Sequence, residues 1–119
     1  MPRILLVDDD MAVAATVIEG LEAAGLPVVH AAHTSEALNQ LDAGLSVDLC
    51  LVDLVMPRGE PDGLVFARTV HRRDPPLPVL LLTGYYGFVA RAGELPAKLL
   101  YKPIDLDVLI AEIRDALSL

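Results

Sequence analysis

The run Leu49-Cys50-Leu51-Val52 is too short for a helix and too apolar for a surface loop, and it stops abruptly at a carboxylate, Asp53. A run of that kind reads as a parallel strand buried on both faces. The pattern recurs along the chain. Ile4 to Val7 ends in Asp8, Asp9 and Asp10, Pro78 to Leu82 delivers Thr83, and the short run Lys98 to Tyr101 delivers Lys102. Pro27 to Ala31 completes the set of predicted strands.

Helical spacing fills the intervals. Val13, Val17, Ile18, Leu21 and Ala24 recur every three to four residues before the terminator Gly25, and Ala37, Leu38 and Leu41 share one face of a short helix closed by Gly44. Leu64, Ala67 and Val70, with His71 at the margin, mark a third helix that Asp74-Pro75-Pro76 ends. Leu106, Leu109, Ile110, Ile113 and Leu117 carry the clearest helix, and Asp105 is placed to cap it. Between Thr83 and Lys98 the periodicity fades. Tyr85 to Ala92 holds two turns at most, so the fourth of five helical segments is expected to be shortened. Strands alternating with helices specify an α/β fold, a doubly wound parallel sheet covered on both faces. Right-handed crossovers leave few topologies, and the flavodoxin-like order 2-1-3-4-5 is the commonest for five strands.

A length of 119 residues is that of one domain, expected over 1–119, and an apolar content of 54% against 22% charged residues argues for a packed core and against disorder. With 17 acidic and 9 basic side chains the net charge is −8, so no electrostatic footprint for nucleic acid exists. The N-terminal apolar stretch is cut short by aspartates, and no run approaches the roughly 18 apolar residues of a membrane span. Cys50 has no disulfide partner and sits inside an apolar run, as a small buried hydrophobe would. A cytoplasmic setting without membrane contact is the expectation.

Parallel strands all point the same way, so Asp8, Asp9, Asp53, Thr83 and Lys102 converge on one edge of the sheet, where open α/β sheets place their ligands. Clustered carboxylates repel one another, and a divalent cation removes that cost. A few oxygen ligands with room for water suit Mg²⁺ better than Ca²⁺ or zinc. Lysine and a hydroxyl opposite the metal would complete a pocket for a phosphoryl group, with a carboxylate as nucleophile. His30 and His33 lie three apart, but no third ligand is near them in sequence, and a metal role for them is not expected.

The ordered set Val7-Asp8-Asp9, Val52-Asp53 with Met56-Pro57 and Asp62-Gly63, Leu82-Thr83-Gly84 and Tyr101-Lys102-Pro103 resembles the response-regulator receiver domain of two-component phosphorelays over the full length. The resemblance implies that Asp53 is the phosphoacceptor. It also implies that Asp9, Asp53 and the Val55 carbonyl bind Mg²⁺ directly while Asp8 acts through water. Thr83 would hydrogen-bond the phosphoryl group, Lys102 would pair with it, and the Lys102-Pro103 bond would be cis. Asp10 falls outside the pattern and reads as an exposed helix-start residue. The implied donor is a histidine kinase or histidine-phosphotransfer domain, and an unknown downstream protein receives the signal. Such a module catalyses its own phosphorylation and dephosphorylation without being a turnover enzyme.

Several departures from the family pattern carry expectations of their own. Arg58-Gly59-Glu60-Pro61 lengthens the loop after Met56-Pro57, which is expected to be either mobile or partner-specific. The position of the family's switch aromatic, three before the lysine, is Leu99, while Tyr101, Tyr85 and Tyr86 lie near. Apolar Val55 offers nothing to orient an attacking water, so slow self-dephosphorylation is expected. The altered fourth-helix region implies a monomer or weak dimer. Two rival readings exist: a pseudo-receiver that never cycles phosphate, and a phosphohydrolase using the D-x-D of Asp8-Asp9-Asp10. The latter lacks the hydroxyl expected two residues on, at Ala12, and a longer core.

Overall fold

The computed structural model describes residues 2–73, 75–84 and 97–118. The strands are β1 (Ile4–Val7), β2 (Val28–Ala31), β3 (Leu49–Asp53), β4 (Val79–Thr83) and β5 (Lys98–Tyr101). Helices α1 (Met11–Ala23), α2 (Thr34–Asp42), α3 (Gly63–His71) and α4 (Leu106–Ala116) connect or follow them. The expected shortened helix over Tyr85 to Ala92, and both tyrosines with it, lie outside the described residues; α4 is therefore the C-terminal helix.

All strand pairs are parallel and the sheet order is β2-β1-β3-β4-β5, the flavodoxin-like arrangement expected from the alternating pattern. The central strands alternate faces with a period of two, as pleating requires. Leu5, Val7, Cys50, Val52 and Leu81 point into one core with Ala37 and Leu41 of α2 and Phe66, Ala67 and Val70 of α3. Ile4, Leu6, Leu49, Leu51 and Leu80 point into the other, against Leu21 of α1 and Leu109 and Ile113 of α4. Helices thus cover both faces, and β1 and the apolar part of β3 touch no water.

Local chemistry sets the helix ends. Asp10 caps α1, its Oδ1 accepting from the Ala12 and Val13 amides, and Asp105 caps α4 through the Asp107 amide. Two details depart from the sequence expectation. The inward stripe of α1 begins at Ala14, and Val13 is 39% exposed; in α3 it is Phe66, not His71, that joins Leu64, Ala67 and Val70 inside. Both shifts arise because the face a helix buries is decided by where it lands on the sheet. In α4, Leu109 and Ile113 are the buried pair, and Leu106 sits at the rim.

Among the described residues Phe66 is the largest fully buried side chain. Phe66→Ala is expected to cost about 3–5 kcal/mol, a large share of the roughly 5–15 kcal/mol by which a domain is usually stable. A urea titration should show the midpoint falling accordingly.

Candidate functional site

The carboxyl edge of the sheet brings the predicted polar residues together. Asp53 is the last residue of β3, Thr83 the last of β4, and Lys102 follows β5; Asp8 and Asp9 follow β1. Ligand oxygens of Asp8, Asp9 and Asp53 all lie within 4.8 Å of one another, the group among the described residues best placed to hold a cation. Lys102 Nζ lies 3.3 Å from Asp53 Oδ2, so the lysine already neutralises part of this charge. Thr83 is buried, and its carbonyl accepts the Lys102 amide at 2.8 Å, which ties the β5 exit to the β4 exit. Lys102-Pro103 is cis, as the family resemblance implied.

The three carboxylates are not equivalent. Asp8 is only 1% exposed, whereas Asp9 is open to solvent. Burial pushes the Asp8 carboxyl above its ordinary range, the nearby Asp53 and Asp9 charges add to the push, and the Asp10 amide and Lys102 work against it. That amide donates to Asp8 Oδ1 at 2.9 Å. His30 Nε2 lies 2.8 Å from the Asp8 carbonyl oxygen. A carbonyl can only accept, so Nε2 carries the proton in this contact. His30 is thereby a support for the β1–α1 turn, a role no spacing rule reveals because its partner lies 22 positions away.

Such a donor set suits a small divalent ion: oxygens only, one of them buried at a cost that positive charge would relieve. Asp8, Asp9 and Asp53 therefore fit Mg²⁺ on chemical grounds. Val55, whose carbonyl the family resemblance implies as a ligand, begins the loop after β3; its amide approaches Asp53 Oδ1 at 3.4 Å and the residue is 65% exposed.

That loop, residues 55–62, is closed at its neck by the Gly63 amide donating to the Leu54 carbonyl at 2.9 Å. A side chain on Gly63 would put its Cβ 2.8 Å from the Asp53 carbonyl oxygen and 2.8 Å from the Leu54 Cα, so only glycine lets α3 start this close to β3. At the tip Gly59 has φ +91°, a conformation side chains resist. Asp62 caps α3, its Oδ1 accepting from the Val65 amide at 2.9 Å. The lengthened segment is not loose in this structure. Glu60 Oε1 accepts from the Ser35 amide at 3.0 Å and the Ser35 hydroxyl at 2.6 Å, and the Thr34 hydroxyl donates to the Pro61 carbonyl. The sequence offered no signal for this clasp onto α2. On β5, Leu99 packs against the α2/α3 core, and Tyr101, two residues on, shares its side of the sheet next to the site.

A doubly wound parallel sheet with an acidic pocket and a lysine at its carboxyl edge is the arrangement that the family resemblance implied. The family model described as response regulator receiver domain matches residues 4–114, and the chain belongs to that family, the receiver domains of two-component signalling. It is 35% identical to the response regulator receiver protein CpdR of Brucella abortus, over 98% of each chain. It is 36% identical to the response regulator MprA of a Mycobacterium, over 94% of this chain but only 49% of that one, and so spans about half of that longer relative. Among solved structures, a receiver domain protein of Clostridium thermocellum superposes with a TM-score of 0.87 at 26% identity, covering 99% of this chain and 95% of that one. The response regulator TrrA of Thermotoga maritima, solved in complex with Mg²⁺-BeF, superposes at 0.86 and 26% identity, covering 98% and 99%. Among the described residues no helix is long and apolar enough to cross a membrane.

A group whose folded pKa is raised destabilises the fold once it ionises, from its unfolded value upward. Asp8→Asn, which keeps an acceptor for the Asp10 amide, is therefore expected to raise the melting temperature of the metal-free chain by a few degrees at neutral pH. The gain should vanish in acid below the ordinary aspartate range, where Asp8 is protonated in both states. Calorimetric melting at the two pH values checks it.

Proposed function

We propose that residues 1–119 act as one receiver module in which Asp53 accepts a phosphoryl group from a phosphohistidine donor, with Mg²⁺ required. The observation that carries this reading is the Asp53 carboxylate at the end of a buried strand, paired to Lys102 at 3.3 Å and flanked by Asp8 and Asp9. An Asp53 oxygen attacks phosphorus, the P–N bond to the donor imidazole breaks, and that nitrogen leaves with the bond pair and takes a proton from solvent. The product is an acyl phosphate. Asp9, Asp53 and the Val55 carbonyl would hold Mg²⁺, with Asp8 acting through water. The bound ion supplies positive charge against the phosphoryl oxygens. Lys102 serves the same charge from the other side, exchanging its Asp53 partner for a phosphoryl oxygen, and the Thr83 hydroxyl donates a hydrogen bond to that group. The bound phosphoryl group then changes the surface offered to a downstream protein.

A donor must bring its imidazole to a recessed carboxylate, and the rim supports such docking. Met11 is 61% exposed and Val13 39% on the first turn of α1, and Val55 is 65% exposed on the loop after β3. A groove of about 680 Å³ runs from Val13 and Val17 to Lys102, Pro103 and Leu106. An apolar helical face carrying a histidine, as in a histidine kinase or phosphotransfer domain, matches that rim.

Incubation with Mg²⁺ and acetyl phosphate should add one phosphoryl mass to the native chain and none to Asp53→Asn. An unmodified native chain under conditions where Mg²⁺ binds would favour a pseudo-receiver instead. Val55 is apolar and exposed, so it offers no polar group to an attacking water, and the acyl phosphate should be long-lived. Val55→Asn is expected to speed its loss by roughly tenfold, less than the about 10²–10⁴-fold of a full general acid or base, because the amide only orients the water. A time course of phosphoprotein mass reads this out, and an unchanged half-life would contradict the assignment.

A further inference from the structure

Residues 55–62 leave the sheet at Asp53 and return at Gly63, and the loop is fixed at three places. Its neck is the Gly63 amide on the Leu54 carbonyl, Met56 packs against the α2/α3 core, and its tip is the Glu60 carboxylate on Ser35. Glu60 Oε1 takes both the amide and the hydroxyl of Ser35, so one oxygen serves an orphan donor of the first turn of α2 and a side chain. Thr34, fully buried, adds its hydroxyl to the Pro61 carbonyl next door. These bonds, hydroxyl first and amide second, hold the Glu60 carboxyl below the ordinary glutamate range, so it is charged at neutral pH. A closed loop pinned at neck, middle and tip has little freedom left for its first residue, Val55.

We propose that Glu60 is a positioning residue for the cation site: by clasping the loop to α2 it fixes where the Val55 main chain is presented, and occupancy of the site in turn tightens the first turn of α2. This rests on the receiver reading of the site. The two halves are one statement, because a free energy that couples loop and cation must act equally in both directions. Glu60 touches neither the metal nor the phosphoryl group and acts only through the backbone between it and Val55. The lengthened loop thereby gives α2 a connection to the acidic pocket.

The test measures Mg²⁺ affinity by titration calorimetry and amide hydrogen exchange at Ser35 with and without Mg²⁺. Glu60→Ala is expected to weaken Mg²⁺ binding about tenfold, the lower end of what loss of a supporting partner costs a metal site. Glu60→Gln, which keeps an acceptor oxygen for Ser35 but no charge, should recover most of the affinity. Ser35→Ala, which alters no charge, should weaken binding in the same direction as Glu60→Ala, and the double variant should be little worse than either single one. Native Ser35 exchange should slow when Mg²⁺ is added and become insensitive to it in Glu60→Ala. Equal loss in Glu60→Ala and Glu60→Gln would make the effect one of long-range charge and overturn the clasp, as would native affinity in Glu60→Ala. A native chain that binds no Mg²⁺ at all would overturn the receiver reading itself and leave the clasp nothing to position.

Discussion

Strands β1 and β3 lie in the middle of the sheet with helices on both faces, and no side chain from Ile4 to Val7 or from Leu49 to Val52 meets water. A strand in that position can carry nothing polar along its length, because an unpaired polar group there would cost several kcal/mol. Charge is therefore pushed to the ends. Parallel pairing makes all the carboxyl ends face one way, and the outcome is a dense collection of carboxylates at a single edge. The pocket is as much a product of that exclusion as of its own residues.

Exclusion alone would leave the edge electrostatically unfavourable. Asp8 shows the cost most plainly, since it is buried with a raised pKa beside two other carboxylates. The fold offsets it with backbone and one cation. The Asp10 amide meets Asp8 Oδ1, His30 steadies the Asp8 carbonyl, and Lys102 stands 3.3 Å from Asp53. What remains is negative charge held ready in a fixed place. That is the state in which a divalent ion or a phosphoryl group with its ion gains most from binding, because no reorganisation is needed when it arrives.

The loop after β3 links this edge to the rest of the molecule. Gly63 permits its close return and Glu60 seats its tip on α2, so a segment that interrupts the family's spacing became a connection instead of a free end. On the opposite flank half-buried Leu99 packs against the core at the position where the resemblance implies an aromatic, and Tyr101 takes the nearer position on the same side of β5.

The sequence by itself determined the strands, the sheet class and order, and the five polar residues at the edge. Each of those depends on local signals: apolar runs, helical spacing, and the rule that parallel strands share a direction. Asp105 was legible as a cap and Asp10 as a helix-start residue, since a cap bonds to amides two or three residues away. Tertiary structure alone decided which stripe of α1 turned inward, that Phe66 filled the α3 core, that His30 supports Asp8, and that Glu60 clasps Ser35. Their partners lie on other elements, at separations of 22 and 25 residues for the last two. A single hydrogen bond leaves no periodicity in the chain, so contacts of that kind exist only once the sheet has brought the loops together.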